Sequence, residues 1–204
     1  FVNPESNVPE LGTIIDDKKI AEMKKHYRFN PMDKVVVIQY RASNSIRSVD
    51  YNVWANLILD SPQGIHYVLV GANHQYPEIN DVIKQTLTIA KQKKKNIRIE
   101  SFEPFTNKHE GLRYAINLIS MSSLVIGGDS GLLHRLRLAT YKNAIGINAN
   151  SSCKYARGEF KSCFFNSSDS CKLSHKFVQK YSPCMGMINH NIVLQQMKRL
   201  KIIK

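Results

Sequence analysis

Leu124-Val125-Ile126-Gly127-Gly128 is an apolar run without alternation, the pattern of a strand covered on both faces. It empties into Asp129-Ser130-Gly131, and helical spacing resumes over 132–141. Buried strand, small-residue turn and helix together demand a layered α/β arrangement and form an anion site. Gly127, Gly128 and Gly131 let backbone approach a ligand. Unpaired N–H groups of the first helical turn, backed by the positive end of the helix dipole, favour a phosphate or diphosphate. Asp129 or Ser130 acting only as a helix cap accounts for the same residues without a ligand.

The rest of the chain repeats this alternation. Strands are expected at 34–40, 66–70, 97–101, 124–128 and 144–148, from β-branched apolar runs ending in Gly or polar loops. Helices are expected at 16–27, 51–59, 77–94, 110–121, 132–141 and 189–200, with Pro77 suited to a first turn. Strand and helix in alternation require crossover connections, hence a parallel sheet with helices on both faces, right-handed at each crossing. From 149 to 183 the periodicity fails and Ser, Lys and Asn dominate, so this segment is expected to be an irregular excursion. Residues 1–30 read as a lead-in with a partly exposed linker helix, and 31–204 as one Rossmann-like domain.

Lys and Arg outnumber Asp and Glu by 29 to 16, a formal net charge of +13, so anionic partners are expected. Nucleic acid, an acidic membrane surface and a phosphorylated small molecule all satisfy that sign. The longest basic run, Lys91 to Lys95, falls at a helix end, where the dipole favours Lys without any ligand. No aromatic residues are interleaved with it to stack bases, which argues against nucleic acid. No apolar stretch is long enough to span a bilayer and no secretory pattern opens the chain, so a soluble cytoplasmic protein is expected. The first residue is Phe rather than Met, so the chain is expected to be part of a longer polypeptide. Asn150-Ser151-Ser152 and Asn166-Ser167-Ser168 fit the glycosylation pattern, which carries weight only in a secreted protein.

In open parallel sheets ligands bind beyond the carboxyl ends of the strands. That edge should gather Ser43, Ser45 and Arg47 from one loop, Asn73, His74 and Gln75 from another, and Asp129, Ser130 and His134 from the glycine turn. A solvated loop Arg47 and a His134 that caps or packs are the plain alternatives.

The order of a Ser-containing loop with a basic residue, a Trp54-containing helix, a strand ending at Gly71, Gly128-Asp129-Ser130-Gly131-Leu132-Leu133-His134 and a late Cys184-Met185-Gly186-Met187-Ile188 resembles the heptosyltransferase-like glycosyltransferases, glycosyltransferase family 9. The resemblance covers roughly 34–200 and is to their C-terminal half. It implies a GT-B architecture, two Rossmann-like domains facing across a cleft, of which this chain is similar to the domain holding the nucleotide-sugar donor. By position it places Asp129, Ser130 and Gly131 at the donor sugar and diphosphate, His134 just inside the helix, and Ser43 in the donor loop. Arg47 stands where the family usually has a Lys directed at the phosphates, and Gln75 where its heptose enzymes often have a Glu contacting the nucleoside. A fixed cation and helix N–H groups stabilise departing nucleoside diphosphate, so no cofactor is implied beyond the nucleotide-sugar donor substrate. The acceptor half, with the general base, would precede residue 1, so binding without efficient turnover is expected of this chain. A non-catalytic nucleotide-sugar module and a basic interaction domain for acidic membrane or nucleic acid remain as alternatives.

Cys153, Cys163, Cys171 and Cys184 lack paired C-x-x-C spacing. A zinc or iron site, with His175 as a substitute ligand, is open, and some relatives that modify autotransporter adhesins are similar in carrying cysteine-bound iron near this end. Cys184 as a small buried apolar residue is the plainer reading. Disulfides are disfavoured in a cytoplasmic setting.

Overall fold

The computed structural model describes residues 15–41, 48–106, 110–128, 144–148, 162–166 and 189–204. In chain order its elements are α1 (Asp17–Tyr27), β1 (Lys34–Gln39), α2 (Tyr51–Asp60), β2 (Ile65–Val70), a 3₁₀ turn (Asn73–Gln75), α3 (Tyr76–Gln92), β3 (Arg98–Ser101), α4 (Glu103–Thr106), α5 (Gly111–Met121), β4 (Leu124–Gly128), β5 (Ala144–Asn148), β6 (Ser162–Asn166) and α6 (His190–Arg199). The strands form one sheet in the order β3-β2-β1-β4-β5-β6, every pairing parallel. The five strands expected from the apolar runs all occur, each boundary within one residue of expectation.

Strand β1 is central. Val37 lies between Val68 of β2 and Val125 of β4, and Ile38 between Leu69 and Ile126. Each of these six side chains is essentially inaccessible, because helices cover both faces and a parallel sheet leaves neither to water. Trp54 of α2 is fully buried and its indole N–H donates to the Tyr40 carbonyl at 3.1 Å, pinning the helix to the end of β1.

One finding corrects the sequence reading. Strand β6 falls within the 149–183 segment expected to be irregular; five residues, Ser-Cys-Phe-Phe-Asn, show no measurable periodicity, and their pairing is supplied by β5, with Cys163 opposite Ile145. Helix α1 is partly exposed, as expected, and its apolar positions join the core: Met23 and Tyr27 are buried, and the Tyr114 hydroxyl of α5 donates to Glu22 Oε2 at 2.6 Å. Its start is capped by the Asp16 carboxylate, which accepts from the Lys18 N–H at 2.9 Å.

Helix α6 buries Val193 and Met197 against the body, and both its ends are tied to the edge where strands begin. His190 Nε2 lies 2.9 Å from Asp60 Oδ2, and Lys34 Nζ donates to the Ile202 carbonyl at 2.7 Å. Among the described residues no helix is long and apolar enough to cross a membrane.

Candidate functional site

The chain leaves β1 toward β2 on one side, whereas β4 lies on its other side, so the strand order reverses between β1 and β4. Crevices form at such switch points, beyond the strand carboxyl ends, because the loops there diverge to opposite faces. Two features open the backbone at this place. A Cβ on Gly127 of β4 would sit 2.8 Å from Gln39 Cβ, so glycine admits the Gln39 side chain between the central strands. Gln39 is nearly buried, and its amide donates to the Arg41 carbonyl at 3.2 Å, shaping the exit of β1.

Beside the switch point lies a cleft of about 490 Å³, of the size that takes a nucleotide-sized ligand. Its floor is apolar, from Val70, Phe102 and Ala115, and its rim is polar, from Arg41, Asn73, His74 and Thr106. No carboxylate lines it among the described residues, and its rim offers amide, hydroxyl and guanidinium groups for hydrogen bonding to a polar ligand. Arg41 stacks over the Tyr40 ring at 5.6 Å and pairs with Glu78 in the first turn of α3, which fixes the guanidinium at the mouth.

The loops around the cleft are held by side chains. Tyr76 is buried, and its hydroxyl donates to the Gly71 carbonyl at 2.9 Å and accepts from the Thr106 hydroxyl at 2.6 Å. Burial raises the Tyr76 phenol above its ordinary pKa, so it stays a neutral tie between the two loops. Gln75 lies in the cleft lining but turns inward: Oε1 accepts from the Ala72 N–H at 3.0 Å, closing the 3₁₀ turn. Gly71 permits this closure, since a Cβ there would meet Ile79 Cδ1 at 2.7 Å and Gln75 Oε1 at 2.8 Å.

Of the residues expected to bind donor, Gln75 is brought to the cleft, together with neighbouring Asn73 and His74. Ser43, Arg47, Asp129, Ser130, Gly131 and His134 lie outside the described residues, as do Cys153, Cys171, Cys184 and His175, and of Cys163 only the strand position is described. Arg41 and Gln39 were not singled out by sequence reasoning. Arg41 lies two residues beyond the end of the central strand, and Gln39 is the polar residue closing an otherwise apolar run; those were the available signals.

The parallel sheet with helices and a switch point is a Rossmann-like α/β fold. No family model and no curated protein matches the sequence. Among solved structures, E. coli ADP-heptose LPS heptosyltransferase II superposes with a TM-score of 0.67 at 14% identity, over 92% of this chain and 52% of that one. A glycosyl transferase family 9 protein from Veillonella parvula gives 0.69 at 12% identity, over 92% and 53%. E. coli heptosyltransferase WaaC, solved with ADP-2-deoxy-2-fluoro heptose, gives 0.56 at 15% identity, over 87% and 47%. The fold is therefore the heptosyltransferase-like fold of glycosyltransferase family 9, and the chain spans about half the length of these structures.

Proposed function

We propose that this chain is the donor-binding half of a glycosyltransferase that moves a sugar from a nucleoside diphosphate to a glycan, lipid-linked saccharide or protein hydroxyl. The observation that carries the reading is a cleft beside the β1/β4 switch point, with no carboxylate among its described lining residues, on a fold that superposes on about half the length of glycosyltransferase family 9 structures. One of the neighbours, heptosyltransferase WaaC, was solved with ADP-2-deoxy-2-fluoro heptose, which supports a nucleotide-sugar ligand for this cleft.

The chemistry asked of the chain is modest. The bond from the anomeric carbon to the diphosphate oxygen breaks while an acceptor oxygen attacks, and negative charge grows on the leaving diphosphate. Arg47 and the N–H groups of the turn at Asp129, Ser130 and Gly131, with Ser43 and His134 alongside, would hold that charge, and the rim at Asn73 to Gln75 would take the nucleoside. Loss of the acceptor proton needs a base on a separate acceptor face.

Calorimetric titration with ADP-, GDP-, UDP- and CDP-sugars tests the binding, and transfer by a longer polypeptide containing this segment tests the catalysis. Donor binding with transfer only in the longer polypeptide, reduced by Asp129→Ala, is expected. Binding without transfer in any longer polypeptide would make it a non-catalytic module, and absence of binding would overturn the reading.

A further inference from the structure

The sheet edge opposite the cleft, where the strands begin, collects the ends of three helices. Helix α1 turns directly into β1 and α3 into β3, so both deliver their C-termini there, and α6 is tied to the same edge at both ends. All three close in one way. The Phe29 N–H donates to the Lys24 carbonyl at 3.1 Å, that of Lys95 to Ala90 at 2.8 Å, and that of Ile202 to Met197 at 2.9 Å. In each, the preceding residue is left-handed: Arg28 at φ 51°, Lys94 at φ 52° and Lys201 at φ 58°.

Such a helix stop favours glycine or asparagine, because a Cβ in left-handed backbone is strained. Among the described residues these are the non-glycine positions of positive φ, and each carries a cation. The helix dipoles do not account for this, since Lys24, Lys25, Lys91 and Lys198 already occupy the last turns. Charge is thus retained where the backbone would be more relaxed with glycine. The nearby acids are already engaged: Asp33 with Arg98, and Asp60 with Lys95 and His190. Arg28, Lys94 and Lys201 are exposed and have no carboxylate partner among the described residues.

The same edge also presents an apolar side chain. Met32, on the turn between α1 and β1, is 90% exposed. Among the described residues the exposed large apolar side chains include no aromatic, so none of them offers stacking to a nucleic-acid base. An edge that carries unpaired cations and a protruding thioether matches a surface with anionic headgroups over a hydrocarbon layer.

We propose that this amino edge of the sheet docks on an anionic lipid bilayer, leaving the cleft at the opposite edge open to water. The Lys run at 91–95, explicable alone as a solvated helix end, becomes one arm of that surface once the fold brings it beside the ends of α1 and α6.

The test is sedimentation of the chain with phosphatidylglycerol–phosphatidylcholine vesicles and with pure phosphatidylcholine vesicles. Binding to the anionic vesicles alone, released as salt rises from about 0.1 M to about 1 M, is expected. Replacing Arg28, Lys94 and Lys201 together by Gly should weaken it roughly a hundredfold, at about one kcal/mol per basic residue at the surface. Because glycine suits the left-handed backbone, the thermal midpoint should hold or rise; the matching Asn triple variant checks any exception. Met32→Ser should weaken vesicle binding severalfold while leaving attraction to heparin unchanged. Nucleoside diphosphate affinity should survive all these changes, which separates this proposal from the donor site. Equal binding to phosphatidylcholine, unaltered binding by both triple variants, or tighter binding of a short duplex DNA than of the anionic vesicles would overturn it.

Discussion

At the carboxyl edge of the sheet polar side chains turn inward onto backbone, whereas at the amino edge charged side chains turn outward or pair with one another. Gln39, Gln75 and Tyr76 are spent on the Arg41 carbonyl, the Ala72 N–H and the Gly71 carbonyl, so these loops are held by neutral hydrogen bonds, with the Arg41–Glu78 pair at the mouth. At the other edge Arg98 pairs with Asp33 and donates to the Arg28 carbonyl at 2.8 Å, while His66 lies fully buried behind them. A ligand cleft needs loops whose geometry does not depend on titration; a base carrying exposed cations has no such requirement. The difference makes the two edges separable by experiment.

The largest effect should come from Trp54→Ala, which empties a fully buried site and orphans the Tyr40 carbonyl at the exit of β1. A loss of about 3–5 kcal/mol in urea unfolding is expected, with the cleft lost as well; a loss below about 1 kcal/mol would show that α2 does not anchor that loop.

Acid should act through the amino edge. Burial, and secondarily the Arg98 charge, push His66 down to about 4, with Asp33 only partly opposing, while Glu100 lies 3.9 Å from Nε2 and the Tyr27 ring packs edge-on. The unfolded imidazole titrates near 6.5, so between those values the unfolded chain binds the extra proton. Stability should therefore fall as pH drops from about 6.5 to about 4, by roughly 2 kcal/mol, and His66→Leu should flatten the slope. An unchanged slope in that variant would place the acid sensitivity elsewhere.

At the carboxyl edge, Tyr76→Phe should cost about 1–2 kcal/mol by freeing the Gly71 carbonyl from its tie to Thr106. Nucleotide affinity should weaken with it, a coupling that titration of the variant at constant temperature checks. The smallest effect is opposite in sign. Lys94→Gly should raise stability by up to about 1 kcal/mol by relaxing a left-handed residue, measured by thermal unfolding, without touching the cleft.

Sequence reading succeeded where burial is two-sided and runs are long. Val35 to Ile38 and Leu124 to Ile126 permit one interpretation, and their alternation with helices leaves the parallel sheet as the solution. It failed at β6, where the decisive term is pairing with β5 rather than any pattern in five residues. The site was legible as an edge but not as a cleft. That Gln75 would face its own backbone depends on the absence of a Cβ at Gly71, and that Arg41 would reach Glu78 depends on where α3 begins, neither of which is written in local composition. Of the expected donor ligands in the glycine turn, the described residues reach only as far as Gly128.

The central claim is that the cleft between the β1 exit and the 3₁₀ turn takes a nucleoside diphosphate. Ala72 is exposed on its rim with extended backbone, so Ala72→Trp fills the opening without entering the core. Titration calorimetry of the chain and of this variant with a nucleoside diphosphate and its matching nucleoside is the direct measurement. Diphosphate binding stronger than nucleoside binding in the chain, abolished in Ala72→Trp at an unchanged thermal midpoint, is the predicted result. Equal affinity in the chain and the variant, or no nucleotide bound by the chain at all, would contradict the account.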